Sequence, residues 1–511
     1  MSTLRLNLLD AGFLYSETDA APNHVGGLLQ FRLPDDAPED FLRQMMAEFR
    51  SHRSFEPPWN RRLKYPFKQN PAPAWVVDED IDLEYHVRHA ALPWPGGERE
   101  LGELVARLHS QPMDLSRPLW ECTIIEGLDD KRFALFIKMH HSLIDGVSGM
   151  KLLQRTMSTD RDKSLGKPPF WAAPPPEQPA RAVAAPTAAN ALSTVVAALS
   201  GQARTVPQLA LAFGKILKRL VQPEGEGMVV PFTSPRSVLN GRVRAKRRFA
   251  TQKFSIERMR TLAKAAGGSL NDVVLAMCGG AVRRFLEESG NLPEKSLSAS
   301  IPVSVRPKDD QGTGNAITFI IATLGTDIAD AAQRFEAIKT SVQHAKAHVQ
   351  SLPRQAMEQY TLLLMSPTIA TMMTGIAGRV RPMYNVMVSN VPGPDKRLYF
   401  RGAELLATYP ASVVTHGMAL NITCQSYAGE MDFGITGCHA TLPKMQRLAV
   451  YLADAFHELE TAFLPAATPA PKLPRARSAA KAPAPRARAA KAKAGDAAKP
   501  ARTARKPAAL R

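Results

Sequence analysis

The sequence predicts an α/β fold of two substantial domains, and three observations carry that reading. Short apolar runs alternate along the chain with stretches of helical period. At 511 residues and 45% hydrophobic content, the chain is long and apolar enough for packed cores in two domains. A Pro- and Ala-rich stretch, Lys167-Pro168-Pro169 through Pro186, reads as the linker between them. The expected division is residues 1–160, a linker with amphipathic helices over 161–240, a second domain over 241–464 and a basic tail over 465–511.

Taken in chain order, Met1 to Leu14 mixes charged and polar residues without a sustained apolar core, so no secretory signal is expected. Pro118-Leu119-Trp120 reads as the start of a strand bearing a core tryptophan. Phe133 to Met139 reads as a strand with Phe133, Leu135, Ile137 and Met139 on one face and Lys138 on the other. The run ends in His140-His141-Ser142-Leu143-Ile144-Asp145-Gly146, which sets a base, a carboxylate and a flexible turn within seven residues. By strand parity His141 continues the apolar face and His140 faces away. A histidine ending a buried face can keep a neutral ring and meet a substrate in a cleft, which makes His141 the better general base.

Asp145 is spaced for a helix cap or an ion pair that fixes the turn, and Arg306 reads equally as a surface charge or as its partner. Gly146 permits the turn, and Val147, Met150, Leu153 and Met157 mark the buried stripe of the following helix. Val147, Ser148, Gly149 and Met150 are candidate channel residues that helix packing explains equally well. The apolar stretches Ala191 to Leu199 and Leu209 to Val221, interrupted by Gly201, Arg204 and Pro207, are too broken for one membrane span of about 20 apolar residues, and the second ends in a basic amphipathic run. That run, Lys215 to Leu220, suits a membrane surface or a docked connector. Ser269 and Asn271-Asp272 read as a helix cap, and Asn390-Val391-Pro392-Gly393-Pro394 as a turn.

Charge and cysteine usage exclude several classes. Cys122, Cys278, Cys424 and Cys438 have no close metal spacing and fit reduced thiols in a cytosol, so no zinc site, other metal or disulfide framework is expected. Neither a phosphate-cradling glycine loop nor a dinucleotide fingerprint occurs. From Pro465 to Arg511 thirteen Lys or Arg face one acid, Asp496, so the tail carries +12 of the net +18. Such a tail lacks the apolar content for a core and is expected to be disordered; anionic lipid or nucleic acid would suit it, as would solvent alone.

The residues resemble the bacterial wax ester synthase/diacylglycerol acyltransferase family, whose signature His-His-x-x-x-Asp-Gly stands at His140 to Gly146. Similar blocks are Leu8-Leu9-Asp10-Ala11-Gly12-Phe13-Leu14, His24-Val25-Gly26-Gly27 and Pro118-Leu119-Trp120. Further blocks are Asn271 to Ala276, Pro302 to Arg306, Asn385 to Pro394, and Gly417 to Ile422, so that the resemblance covers about residues 5 to 460. It implies two chloramphenicol-acetyltransferase-like domains with the active site between them, the second starting near Arg247-Arg248-Phe249-Ala250. It also implies transfer of a long-chain acyl group from acyl-CoA, a co-substrate with no further cofactor, to diacylglycerol or a long-chain alcohol. His141, His140 and Asp145 are then the catalytic set. Gly146, Arg306, Asn271 and Asp272 support the motif, and Gly149, Trp120 and Asn421 are expected at the substrate. A cytoplasmic enzyme peripherally attached to the inner membrane or to lipid droplets follows. A peptide-condensation enzyme and a non-catalytic lipid-droplet or DNA-tethering protein are the alternatives; the absence of a carrier motif and the intact histidine motif weigh against them.

Overall fold

The strand-like runs of the sequence are gathered into two six-stranded sheets and one small sheet. The computed structural model describes residues 3–6, 8–65, 73–144, 146–174, 229–304, 317–352, 360, 364, 366–368, 370–372 and 374–464. The first half supplies β1 (Leu4–Arg5), β2 (His24–Arg32), β3 (Arg61–Leu63), β4 (Ala74–Val77), β5 (Val87–Ala91), β6 (Trp120–Leu128) and β7 (Arg132–His140). The second half supplies β8 (Arg247–Ser255), β9 (Ser298–Ser304), β10 (Ile317–Thr323), β11 (Val386–Val391), β12 (Tyr399–Phe400), β13 (Ala403–Ala411), β14 (Leu420–Tyr427) and β15 (Glu430–Cys438). One large sheet runs β12-β13-β2-β7-β6-β5, the other β10-β9-β11-β14-β15-β8, and the small one β1-β4-β3.

β7 is central because both of its faces are buried. Phe133, Leu135, Ile137 and Met139 pack into one core with Leu29 and Phe31, while Ala134 and Phe136 pack into another with Leu28 and Leu101. It pairs antiparallel with β2 in a register that sets His24 opposite His140, and with β6 on its other side. In the second half, the helices Leu270–Glu288, Ala331–Gln350 and Arg447–Phe463 share one core with β9, β10, β11, β14 and β15. The first of these helices starts at the expected cap: Ser269 donates from its amide and hydroxyl to Asp272 Oδ2 (2.8 and 2.7 Å), and the Asp272 amide donates back to Ser269 Oγ (3.3 Å).

Residues 399–411, counted with the second half in the sequence, lie in the first sheet. β13 pairs antiparallel with β2, Ala411 opposite Gly26, and so closes the first sheet with a strand of the second half. β12 covers only the start of its other edge. Further along, the Thr408 amide donates to Asp432 Oδ2 (2.8 Å) and the Ser412 amide to Thr436 Oγ1 (3.1 Å), both on β15. Lys253 Nζ of β8 donates to Leu406 O (2.9 Å). Edge amides that would be costly to bury unpaired are thereby met by side chains of the second sheet. Gly434 is required at the closest approach, since a Cβ there would stand 1.8 Å from Pro410 O.

The expected linker begins later than Lys167. Phe170 and Trp171 are buried, Trp171 stacked on Trp120 at 5.3 Å and donating from Nε1 to His52 O (3.3 Å). Two large aromatics between prolines bury too much apolar surface to remain in a solvated linker, so composition alone misplaces the boundary. Lys215 to Leu220 and the 465–511 tail lie outside the described residues. Among the described residues no single helix is long and apolar enough to cross a membrane.

The seam titrates. Burial pushes the Asp432 carboxyl up to about 7, against the opposing pull of Lys253 and the Thr408 amide. A folded pKa above the unfolded value means that the protonated carboxyl favours folding at low pH, and that this support is lost as pH rises through about 7. Burial lowers His109 to about 3 and His24 well below its ordinary value. Those two act with the opposite sign, favouring folding at neutral pH and losing that support on acidification. Asp432→Asn, permanently neutral, is therefore expected to melt with the wild type near pH 4 and above it near pH 8. Melting curves across that range check this, and a variant less stable at pH 8 would mean that the Lys253 attraction outweighs burial.

Candidate active site

The site forms where β7 ends. His140 is its last residue and is fully buried, whereas His141 begins the turn and is half-buried. The two imidazoles are consequently in different surroundings: His140, on the Lys138 side of the strand, is the fully buried one, and His141, expected to continue the apolar face, lies in the turn beyond it.

His140 has both ring nitrogens engaged. The Ser142 amide donates to Nδ1 (3.1 Å), so Nδ1 carries no proton, and the Ser142 hydroxyl lies 2.6 Å from the same atom. The ring proton is then on Nε2, which donates to Glu17 Oε2. A nitrogen locked between a serine and a carboxylate is not available to a substrate, and the Ser142 hydroxyl is occupied in the same contact. His141 is held differently: its amide donates to Asn23 O (2.9 Å), and its ring stacks on Phe13 with centroids 4.0 Å apart and planes 11° from parallel. Asn23 in turn donates from Nδ2 to Phe13 O (2.7 Å) and to Ser16 Oγ (2.9 Å). The helix Leu8–Ser16 is thereby clamped over the end of β7, and the plane of the His141 ring is fixed.

Behind the histidines lies a buried polar path to the second half. His24 donates from Nε2 to His109 O (2.8 Å), and His109 donates from Nε2 to Ser412 O (3.1 Å). Both rings are neutral, because burial outweighs the hydrogen bonds that would favour charge. Lys138, on the same face of β7, is buried against Glu121 (3.0 Å) and donates to Gln111 O (3.0 Å); burial lowers its pKa and Glu121 opposes that.

The remaining expected residues fall in distinct places. Asn421 is buried at the seam, donating to Val413 O (3.2 Å) and accepting from the Thr423 hydroxyl (3.0 Å). Because that proton is spent, the Ser412 hydroxyl donates to Thr423 Oγ1 (2.7 Å). Trp120 is fully buried, with Nε1 donating to Trp59 O (2.8 Å), which fits the core tryptophan at a strand start and leaves no surface for substrate. Gly149 lets the helix Gly146–Gln154 approach β7, as a Cβ would meet Met139 Sδ at 2.7 Å. Asn271 and Asp272 sit at the helix cap described above, with Asn271 half-buried. Gly146 opens the helix after the turn, and Asp145 and Arg306 lie outside the described residues. Among the described residues no group of three or more His, Cys, Asp or Glu could hold a metal, and all four cysteines are free and buried.

Sequence reasoning missed Glu17. It lies 123 residues from His140, and no local spacing announces the pair. Phe13 was visible only as part of a block, with no sign that its ring would cover His141.

The chain matches a family model described as the wax ester synthase/diacylglycerol acyltransferase catalytic domain over residues 6–274, and one described as the WS/DGAT C-terminal domain over residues 313–460. A Mycobacterium tuberculosis protein named, provisionally, a diacylglycerol O-acyltransferase is 43% identical over 486 residues, 90% of this chain and 97% of its own length. The O-acyltransferase WSD of Acinetobacter baylyi is 37% identical over 456 residues, 89% of this chain and 96% of that one. The solved wax ester synthase/diacylglycerol acyltransferase from Marinobacter aquaeolei VT8 superposes with a TM-score of 0.72 at 36% identity, covering 90% of this chain and 99% of its own. The first condensation domain of the calcium-dependent antibiotic synthetase superposes at 0.52 with 17% identity, a likeness of fold alone. The fold is accordingly the two-domain, chloramphenicol-acetyltransferase-like α/β arrangement expected from the sequence.

Glu17 is expected to act as a positioning residue through His140. Glu17→Ala leaves a buried N–H unpaired, a cost of about 1–3 kcal/mol. It should also loosen the helix over His141, lowering kcat by as much as about 10²-fold with little change in KM. Glu17→Gln keeps an acceptor for Nε2 and should restore most of both. Failure of the Gln variant to rescue kcat, in a protein that melts normally, would assign the carboxylate a role beyond positioning.

Proposed function

The chain belongs to the wax ester synthase/diacylglycerol acyltransferase family, and on that premise we propose that it moves a long-chain acyl group from acyl-CoA to diacylglycerol or a long-chain alcohol, with His141 as general base. The observation that carries the choice of base is the contrast between the two histidines. The fully buried His140 has both nitrogens engaged by Ser142 and Glu17, while His141 is half-buried in the turn that follows β7, its ring stacked on Phe13.

An alcohol is a poor nucleophile at neutral pH. His141 takes the hydroxyl proton as the oxygen attacks the thioester carbon, forming the new C–O bond and an oxyanion that backbone or side-chain donors must stabilise. Collapse of that intermediate breaks the C–S bond. Coenzyme A leaves as thiolate, and the His141 imidazolium returns the proton to it. No acyl-enzyme is required, in keeping with the Ser142 hydroxyl being committed to His140. His140 serves the architecture of the turn, not the proton.

The decisive assay offers palmitoyl-CoA with hexadecanol and with diacylglycerol in parallel, following free thiol and lipid products. His141→Ala is expected to lose about 10² to 10⁴ in rate while remaining folded. His140→Ala is expected to lose stability first, since it strands the Glu17 carboxylate. Near-wild-type turnover by a folded His141→Ala protein removes this mechanism.

The same proposal extends to location. A substrate dissolved in lipid calls for a protein at a lipid surface, and the 465–511 tail, with thirteen cations against one acid, suits anionic headgroups. A protein ending at Leu464 is expected to keep its turnover of soluble substrates and to bind anionic vesicles more weakly, with less dependence on salt. Equal co-sedimentation of both forms overturns the membrane role of the tail, and a DNA shift by the full-length form alone moves it to nucleic acid.

A further inference from the structure

Four stretches of the second half meet at one surface beside the seam and contain no Asp or Glu: residues 229–248, 366–384, 412–418 and 438–446. They carry Arg236, Arg242, Arg244, Lys246, Arg379 and Arg381, all exposed. Among the described residues none of these six has a carboxylate within ion-pair distance, whereas other arginines of this half are paired, such as Arg258 with Glu460 and Arg284 with Asp454. A cationic surface without compensating acids is set to receive an anion.

The guanidiniums are also placed. Arg242 donates from Nη1 to Gly375 O (2.8 Å), and Arg381 donates from Nε to Ser234 O (3.2 Å) and from Nη2 to Thr233 O (3.1 Å). Each is anchored by neutral carbonyls, which orient the group without cancelling its charge and leave further N–H donors facing out. The two turns that carry them are locked together through glycine. Gly378 has a φ of +79°, and a Cβ there would stand 3.0 Å from the Arg242 amide nitrogen.

Between these turns lies a cleft of about 50 Å³ lined by Phe232, Met372, Met383, Tyr384, His416 and Met418, with Arg381 at its rim. One of its walls, at His416, is tied toward the histidine turn through Arg247. Buried Arg247 donates from Nη2 to Ala20 O (3.2 Å) and to Val414 O (3.1 Å), so it joins the loop leading to Asn23, the partner of the His141 amide, to the loop leading to His416. Exposed Ile376 and Val380, on the same turn as Arg379, add apolar cover at the outer end.

We propose that this surface receives the phosphate-bearing nucleotide end of the coenzyme A thioester, the arginines binding its phosphates and the apolar cleft directing its pantetheine arm toward His141. The proposal rests on the acyl-CoA reading above and identifies where that donor enters. Phosphate is the anion that a fork of anchored guanidiniums fits best, and the apolar residues beside it match a base and a pantetheine chain, not a second polyanion.

The test measures equilibrium binding of free coenzyme A, dephospho-coenzyme A and pantetheine to the full-length protein, so that it does not depend on turnover. Wild type is expected to bind coenzyme A tightest and pantetheine weakest. The double variant R236A/R379A, whose side chains make no hydrogen bond or ion pair among the described residues, and the single variant Arg242→Ala should each weaken coenzyme A binding by about tenfold or more with pantetheine unaffected. All forms carry the same basic tail, so its contribution cancels in the comparison. Equal binding of coenzyme A and pantetheine by wild type overturns the proposal, as does coenzyme A binding unchanged in both variants. If those variants instead lose only their co-sedimentation with phosphatidylglycerol vesicles, the surface belongs to a membrane and the proposal falls. Should palmitoyl-CoA release no thiol with either acceptor while the binding differences hold, the entry site stands and the acyltransferase reading is what fails.

Discussion

The molecule depends on one strand that belongs to the second half of the chain and completes the sheet of the first. β13 hydrogen-bonds β2 along one edge and lends the amides of its other edge to Asp432 and Thr436 of β15. Its two partners cannot move independently without stranding those amides in a low-dielectric seam, at about 1–3 kcal/mol for each group left unmet. β2 is the immediate neighbour of β7, so whatever fixes β13 against the second sheet also fixes the strand that ends in the histidine pair. The active-site turn is therefore referenced to both halves, although its motif lies wholly in one.

Buried polarity follows from the same constraint. One face of β7 is apolar throughout, and the other carries Lys138 and His140. That second face meets the helix Glu98–Ser110 and the end of β13, where Leu108, His109, Gln111 and Ser412 present carbonyls. Carbonyls accept but do not donate, so the groups facing them must be donors: the Lys138 ammonium and the Nε2–H groups of His24 and His109. An ammonium there also needs a countercharge, which Glu121 supplies, while the histidines meet the same need by remaining neutral.

Much of this was legible in the sequence because it is local. Period-two alternation gave β7 and the separation of His140 from its apolar face, the Ser269 to Asp272 spacing gave the helix cap, and the motif blocks in order gave the two-domain fold. What escaped was whatever depends on residues far apart. The transfer of 399–411 into the first sheet leaves no local trace, since β13 looks like any half-buried strand. Nor does composition distinguish a linker from Phe170 and Trp171 docked onto Trp120, because the flanking prolines are the same in both cases. Glu17 sits in a short polar run that reads as a solvated turn until His140 is brought over it.

The different surroundings of two adjacent histidines then have a physical origin. Neighbouring residues at a strand end point to opposite sides, so only one of them can meet a cleft while the other is driven inward. An inward imidazole must have both nitrogens satisfied, and Ser142 and Glu17 do this in a way that fixes its tautomer and ties the turn to the Leu8–Ser16 helix. That helix presents Phe13 to the outward imidazole, whose stacking restricts rotation about the ring axis without taking a nitrogen. The inward histidine thus orients the outward one indirectly, through Glu17 and Phe13 and not through a bond between the two rings.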